Sequence, residues 1–379
     1  MDYLIIGSGV AGVSAAKEII KEFDRKQDSL TIISKESEAF YYRPRLIQCL
    51  SGEINVRDII INDLDWFAKN GIDLKLEEEV TRIVTNENKV VSNKGEYHYD
   101  RLLLAQGARP YIPPIAGVEK KNIFTLRNSQ DAEIIYQQAR KSDTAVVIGG
   151  GLLGLESAFN LKKLGVKVYV VEAAEHLLAR QLDTQGGIIL KKKMERRGCN
   201  FFLASLTSEF HGDEKVEAVE LNNGTIIETD MVLISAGIRS NTELVEGTGI
   251  AADKGIIVNE KMETNLENIY AAGDAAEFEE RVYGIWAPAL EQGKTAGKNM
   301  ADAAARFSGS VPSYTLKVAG NDVISLGVLD EDYDIISEIK SDDENYCRIF
   351  RNRGNKPVGA IIIGQYEEKD DIIKEIVKG

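Results

Sequence analysis

Short, unbroken apolar runs alternate along this chain with longer stretches whose apolar residues recur every three or four positions. The runs have the length of strands buried on both faces, and the longer stretches have the period of helices. Residues 3–6 read as a strand, 10–21 as a helix and 30–33 as the next strand. The same order returns as strand 144–148, helix 152–164 and strand 166–171. The first glycines after the two opening strands, Gly7 and Gly149, put the offset of this repeat at 142 residues (149 − 7). A third stretch opens with a short strand at 268–272 and continues as a helix over about 287–307. From about residue 312 the pattern changes to β-rich pieces at 323–328, 347–350 and 358–363, closed by a charged helical segment at 368–377. Strands alternating with helices predict an α/β fold on parallel sheets, and the tail predicts a small α+β domain. Arg109-Pro110 and Pro113-Pro114 supply a stiff connection ahead of the second unit.

Each opening strand runs into a glycine-rich turn. The first is Gly7-Ser8-Gly9-Val10-Ala11-Gly12 and the second is Gly149-Gly150-Gly151-Leu152-Leu153-Gly154. Between a strand and a helix, the first glycine permits a tight turn and the second lets a pyrophosphate approach the backbone. The third lets helix and strand pack closely, and the helix N-terminus meets the phosphate charge. An acidic residue follows each turn. Glu36 lies 24 residues after Gly12 and Glu172 lies 18 after Gly154, each near the end of the next strand. A carboxylate there can accept hydrogen bonds from ribose hydroxyls. Ala173 and Ala174, not arginines, follow Glu172, so NADH is preferred over NADPH. A lone motif of this kind also occurs as a glycine turn without a ligand, and either glutamate could be a solvated strand-end carboxylate. Two fingerprints in one chain are far more specific. They suggest electron transfer between two bound dinucleotides, the cofactors performing the hydride chemistry and the protein orienting them.

Composition narrows the field. A length of 379 residues suggests about two to three domains. A formal net charge of −14 argues against nonspecific nucleic-acid binding, which needs a basic footprint. No basic N-terminal region precedes a long apolar stretch, and no run of about eighteen apolar residues occurs, so neither a signal peptide nor a membrane span is expected. Cys49, Cys199 and Cys347 are too scattered for a Cys-x-x-Cys motif, a zinc site or an iron–sulfur site. No metal is expected, and a reducing cytoplasm fits. His98, His176 and His211 are the only histidines and read as surface or packing residues.

Together these residues resemble the FAD-dependent pyridine-nucleotide-disulfide oxidoreductase superfamily over nearly the whole chain. Gly7, Gly9, Ala11 and Gly12 fall in its FAD fingerprint, with Glu36 as the acidic residue that follows. Leu102-Leu103-Leu104-Ala105-Gln106-Gly107-Ala108-Arg109-Pro110 resembles its crossover segment. Ala105, Gly107 and Arg109 would bind cofactor there, and Gln106 replaces the usual threonine. Gly149, Gly151, Leu153, Gly154 and Glu156 fall in the NAD fingerprint, followed by Glu172. Ile234-Ser235-Ala236-Gly237-Ile238-Arg239-Ser240-Asn241 resembles the return strand, with Gly237 at a cofactor position. Ile269-Tyr270-Ala271-Ala272-Gly273-Asp274 resembles the second FAD motif. The resemblance has Gly273 and Asp274 contact FAD, Asp274 accepting from ribityl hydroxyls, and the following helix aim its positive end at the flavin. A buried or capping aspartate is the plainer alternative. The resemblance implies two Rossmann-like dinucleotide-binding domains in a glutathione-reductase-like arrangement. The FAD-binding domain would be discontinuous, 1–110 and 233–308, with an NAD-binding domain at 111–232 and a small C-terminal domain at 309–379.

Tyr41-Tyr42-Arg43-Pro44-Arg45-Leu46 resembles the Tyr-x-(Arg/Lys)-Pro-x-Leu segment of the redoxin-reductase branch, whose basic residue lies near the flavin. Arg43 would there stabilise reduced, anionic flavin, with Pro44 beside it. Trp286, with Ala289, Gln292 and Gly293, resembles the tryptophan that branch places near the flavin. Surface arginines and a core aromatic are the plainer readings. Arg43, Glu156 and Trp286 are the expected catalytic residues, Glu156 helping to place the nicotinamide. The disulfide branches need a cysteine pair, which is absent here. The position equivalent to the single redox cysteine of other branches is Pro44, and Cys49 reads as a small buried apolar residue. The run from 314 to 328 resembles the start of the C-terminal domain of NADH–rubredoxin reductases and nitrite-reductase flavin modules. No siroheme or iron–sulfur region follows it, which favours the former.

The resemblance implies transfer from NADH through FAD to rubredoxin, hydride passing to flavin N5 and single electrons to the small iron protein, in a monomer. Arg43, Arg45, Lys191, Lys192, Lys193, Arg196, Arg197, Arg351 and Arg353 could give an acidic rubredoxin a basic rim, and a solvated face explains most of them equally well. The alternatives are a ferredoxin reductase, an NADH oxidase or peroxide reductase, and a non-catalytic NADH sensor.

Overall fold

The computed structural model describes residues 1–311, 313–318, 321–330, 334–342 and 344–378. The chain falls into two units. The first gathers Met1–Leu46, Asn55–Arg109 and Ile238–Ser310, and the second gathers Ile47–Ile54, Pro110–Gly237 and Val311–Gly379.

The first unit is built on a five-stranded sheet in the order Ile269–Ala271, Arg101–Leu104, Asp2–Ile6, Ser29–Ile33, Asp73–Lys75. All its pairings are parallel. Such a sheet is covered on both faces, which is why its central strands are apolar at successive positions. Leu4, Ile5, Ile32, Leu102, Leu103 and Leu104 are all buried. The helix Val10–Glu22 buries Val13, Ala15, Ala16 and Ile19. The helix Trp286–Met300 packs on it with the least possible spacing. A Cβ on Gly293 would stand 2.2 Å from Ala11 O, and one on Gly297 2.4 Å from Ala15 O.

That second helix ends at Met300 and not at the expected residue 307. The sequence 301–306 would itself support a helix, but Arg101 intercepts it. Its guanidinium donates to the carbonyls of Met300 and, at 3.2 Å, Asn299, and pairs with Asp302 at 2.7 Å. Asp302 turns to a φ of +59°. The Asn299 side chain then takes up the backbone of Ala305 at 2.9 and 3.0 Å.

The second unit repeats the plan. Its five-stranded parallel sheet has the order Ile123–Phe124, Met231–Ile234, Thr144–Ile148, Lys167–Val171, Asn200–Phe202. Each opening strand lies at the middle of its sheet. Each unit also carries a three-stranded antiparallel meander: Val80–Val84, Lys89–Ser92 and Glu96–His98 in the first, Thr207–His211, Ala218–Leu221 and Ile226–Glu228 in the second. The sequence repeat is therefore a repeat of fold that runs well past the glycine turns.

The tail, within the second unit, is an antiparallel sheet in the order Ser313–Val318, Asn321–Gly327, Pro357–Ile363, Tyr346–Asn352, Ile335–Ser341. The helix Lys369–Lys378 packs Ile372 and Ile376 onto Ile324, Leu326, Cys347, Ile349, Ala360 and Ile362. Two strands lie outside the pieces legible in the sequence. One of them, Ile335–Ser341, is an edge strand with most positions exposed, so it has no apolar run to mark it. Pro312, and Ala319 and Gly320 of the run from 314 to 328, lie outside the described residues.

Candidate cofactor sites

In the first unit the chain turns at Gly7 with a φ of +108°, a region open to glycine. Its N–H donates to Ile33 O at 2.8 Å, and a Cβ there would stand 2.2 Å from Ala105 O. A Cβ on Gly12 would lie 2.0 Å from Gly7 O. Gly9 precedes the helix with no side-chain cap, and no protein atom lies within 4 Å of where its Cβ would be. The first turn of this helix thus lacks a capping side chain, and the space beside Gly9 is open, the arrangement that takes a phosphate. Ala11 is buried, small enough to sit beneath Gly273 and Gly293.

Glu36 and Arg43 are brought together. They form an ion pair of 2.6 Å, and the Tyr41 hydroxyl donates to the other Glu36 oxygen at 2.5 Å. Burial works to lower the pKa of Arg43, but Glu36, Tyr41 and Asp274 outweigh it and hold the guanidinium above its ordinary value. Arg43 therefore does not act as an isolated cation, because Glu36 offsets its charge. Pro44 is exposed in the turn Arg43–Arg45.

Asp274 stands in the turn Gly273–Ala275. The Gly273 N–H donates to Gln292 Oε1 at 2.9 Å, while the buried Gln292 Nε2 has no hydrogen-bond partner among the described residues. Trp286 opens its helix, its ring stacked on Phe40 at 5.8 Å and 13° and met by Tyr42 at 4.8 Å and 76°. In the crossover segment Ala105 is buried and Gly107 has a φ of +69°. Gln106, in the threonine position, donates through Nε2 to Asn241 O at 2.9 Å, and Asn241 Nδ2 returns a bond to Gln106 O at 3.0 Å. Arg109 pairs with Glu243.

The second unit reproduces the cradle. Gly149 has a φ of +114°, donates to Val171 O at 2.8 Å, and would place a Cβ 2.3 Å from Ser235 O. A Cβ on Gly154 would lie 2.0 Å from Gly149 O. Gly151 opens the helix Leu152–Lys163 with no protein atom within 4 Å of its own Cβ position. Glu172 accepts from Gly150 N at 2.5 Å and Ala174 N at 2.7 Å. A carboxylate has about four lone-pair sites, so ribose hydroxyls can still be accepted. Leu153 is exposed and Glu156 half-exposed on the first turns of that helix. Gly237 has a φ of +100° with open space around it. Two uncapped helix ends, each with a hollow where a side chain would sit, fit two dinucleotides.

Cys49, Cys199 and Cys347 are all buried, and none is in a disulfide. Burial pushes the thiols of Cys199 and Cys347 up to about 11, opposite to an activated thiolate. Much of the expected basic rim is paired internally: Lys191 with Glu195, Lys193 and Arg196 with Glu344, and Arg353 with Asp334. Among the described residues one set of metal-type ligands comes together, Glu209, His211 and Glu220, on a strand pair where His211 Nε2 already lies 2.7 Å from Glu220. Sequence reasoning missed Asp183, which accepts from Tyr346 and Arg348 of the tail. Asp183, directly ahead of the helix Thr184–Arg196, is a readable N-cap, but nothing in the tail sequence marks its two partners.

The family model of pyridine nucleotide-disulphide oxidoreductases matches residues 1–293. The chain belongs to this family. Pyridine nucleotide-disulphide oxidoreductases use FAD and NAD(P)H, which agrees with the paired cradles. Residues 312–379 match the rubredoxin NAD+ reductase C-terminal domain. A nitrite reductase [NAD(P)H] of Bacillus subtilis is 37% identical over 379 residues, 99% of this chain and 47% of that protein. An NADH-rubredoxin oxidoreductase of Clostridium acetobutylicum is 33% identical over 362 residues, 95% of this chain and 90% of that protein. The crystal structure of NADH:rubredoxin oxidoreductase from Clostridium acetobutylicum matches with a TM-score of 0.83 at 30% identity, covering 100% of this chain and 95% of that one. The chain spans about half the length of the Bacillus subtilis relatives it matches, 47% and 49%. Among the described residues no helix is long and apolar enough to cross a membrane.

Proposed function

We propose that this oxidoreductase carries electrons from NADH through FAD to rubredoxin, as a monomer in a reducing cytoplasm. The observation that carries the acceptor is the match of residues 312–379 to the rubredoxin reductase C-terminal domain. The Clostridium acetobutylicum relative, similar in extent, supports it. The chain's own cysteines are buried and form no disulfide, so no thiol pair is available to stand between flavin and acceptor.

In this reading the helix amides behind Gly7, Gly9 and Gly12 bind the FAD pyrophosphate, Glu36 accepts from the ribose, and Arg43 and Tyr41 hold Glu36 in place. Asp274 accepts from the ribityl chain, and Trp286 with Phe40 and Tyr42 forms an aromatic wall. Ala105, Gly107 and Arg109 shape the crossover, with Gly237 on the return. Gly149, Gly151, Gly154 and Glu172 bind NADH, and Glu156 positions its nicotinamide. FAD, when bound, takes a two-electron input as hydride and delivers single electrons.

The test is an acceptor panel on NADH-reduced holoprotein, mixed rapidly with rubredoxin, ferredoxin and oxygen. Fast reoxidation by rubredoxin alone is expected; fast reoxidation by oxygen, unimproved by rubredoxin, would overturn the reading. A second reading, the flavin module of a nitrite-reducing system, is favoured by the 37% identity to the Bacillus subtilis protein. It requires reoxidation by a siroheme or iron–sulfur module in preference to rubredoxin.

A further inference from the structure

The second cradle is not held by its own strand and helix alone. The segment that follows Glu172 folds back over the glycine turn. Leu178 N–H donates to Gly150 O at 3.1 Å, and a Cβ on Gly150 would lie 3.0 Å from Leu177 Cδ2. The same Gly150 presents its N–H to Glu172. One residue therefore carries both the support of the segment, through its carbonyl, and the orientation of the carboxylate, through its N–H. Leu177, Leu178 and Leu182 are buried, and Gln181 and Leu182 both donate to Leu178 O at 2.8 Å.

The far end of this segment is fastened by the tail. Ser325 Oγ donates to Gln181 O at 2.6 Å. Asp183 receives the Tyr346 hydroxyl and, at 2.8 Å, Arg348 Nη1, while capping the next helix through Gly186 N at 2.9 Å. Ser325 and Tyr346 are each only 1% exposed. Burial acts to raise the pKa of Asp183, but these donors outweigh it and hold the carboxylate below its ordinary range. Charge-assisted bonds of this kind, out of water, are the ones that fix geometry. A tail attached merely for solubility would not need three side chains converging on two adjoining stretches of one loop.

We propose that Ser325, Tyr346 and Arg348 are positioning residues for the nicotinamide coenzyme. By fixing Gln181 and Asp183 they keep the segment 173–183 seated on Gly150, so that Gly150 and Glu172 stand ready for the adenosine ribose. The inference rests on the reading of the second cradle as the NADH site. It makes the C-terminal domain part of coenzyme selection as well as any part it has at the acceptor.

The test uses holoprotein carrying Tyr346→Phe, Asp183→Asn or Ser325→Ala. Each variant keeps its packing volume closely, and asparagine caps a helix as well as aspartate does. Calorimetric titration with NAD+ should show Kd raised about five- to tenfold, the low end of coupling between distant groups. In rapid mixing with NADH the half-saturating concentration should rise equally, while the limiting rate of flavin bleaching stays within about twofold, the signature of lost ground-state positioning. The preference for NADH over NADPH should narrow, since a loosened Glu172 repels a 2′-phosphate less. Flavin content equal to wild type shows that the first cradle is intact. Unchanged Kd and half-saturation in all three variants overturn the inference, as does a fall in limiting rate with half-saturation unchanged. A wild-type flavin that NADH cannot bleach overturns the reading of the cradle itself, a result distinct from unaltered variants of a protein that NADH does bleach.

Discussion

Glu36 and Glu172 occupy matching places after equivalent strands, yet they are held by different means. Glu172 is gripped by two backbone N–H groups, whereas Glu36 is gripped by the side chains of Tyr41 and Arg43. Glu172→Arg replaces the acceptor with a cation suited to a 2′-phosphate. We expect NADH half-saturation to rise at least about tenfold, on the order of 1.4 kcal/mol, and NADPH to gain. Unchanged NADH kinetics would remove Glu172 from the site. The spacing of both glutamates from their glycines was legible in the sequence. The Glu36–Arg43 ion pair was not, because six intervening residues can bring those side chains together or apart and only the turn decides. A second residue-scale expectation concerns Tyr97, whose hydroxyl donates to Glu78 at 2.7 Å. Burial and then Glu78 push its pKa up to about 12 from 10.0. A raised folded-state pKa stabilises below the unfolded value and loses that effect as pH climbs through the folded one. The thermal midpoint of the wild type should therefore fall between about pH 10 and 12, and Tyr97→Phe should fall less over the same interval.

At the scale of elements the glycine turns give matched expectations with different readouts. Both Gly12 and Gly154 would place a Cβ 2.0 Å from a carbonyl oxygen of their own turn. Gly12→Ala should yield protein that purifies without flavin absorbance. Gly154→Ala should yield flavin-bound protein that NADH no longer bleaches. If both lose flavin, the assignment of the two cradles to two cofactors is wrong. These turns were readable because a strand, three glycines and a helix leave few alternative geometries. The end of the helix Trp286–Met300 was not readable, since it is set by Arg101, about two hundred residues earlier in the chain. Arg101→Met removes a charged donor from two carbonyls and should cost about 2–3 kcal/mol in denaturant unfolding, with flavin content at saturating FAD little changed. A cost under about 0.5 kcal/mol would mean that water replaces the guanidinium.

Over the whole molecule, the repeat and the α/β class were legible because each of the two five-stranded parallel sheets advertises itself as buried apolar runs. The tail was half legible. Its two central strands and their neighbour Tyr346–Asn352 carry apolar runs, while the exposed edge strand Ile335–Ser341 carries none. The anchoring of that tail through Asp183 was invisible, since polar pairs between distant segments leave no local pattern. The first unit also has an order of completion built into it. Its sheet is closed by the strand Ile269–Ala271, which pairs with Arg101–Leu104 and leads directly into Asp274. The second unit's parallel sheet needs nothing beyond Ile234. A chain ended at residue 265 should thus stay colourless in excess FAD. During synthesis from the N-terminus, the parallel sheet begun first is the one finished last. If the first cradle holds the flavin as proposed, newly made protein can take it up only when nearly three hundred residues have emerged, so supply of FAD matters at the end of translation and not while the fingerprint itself is being made.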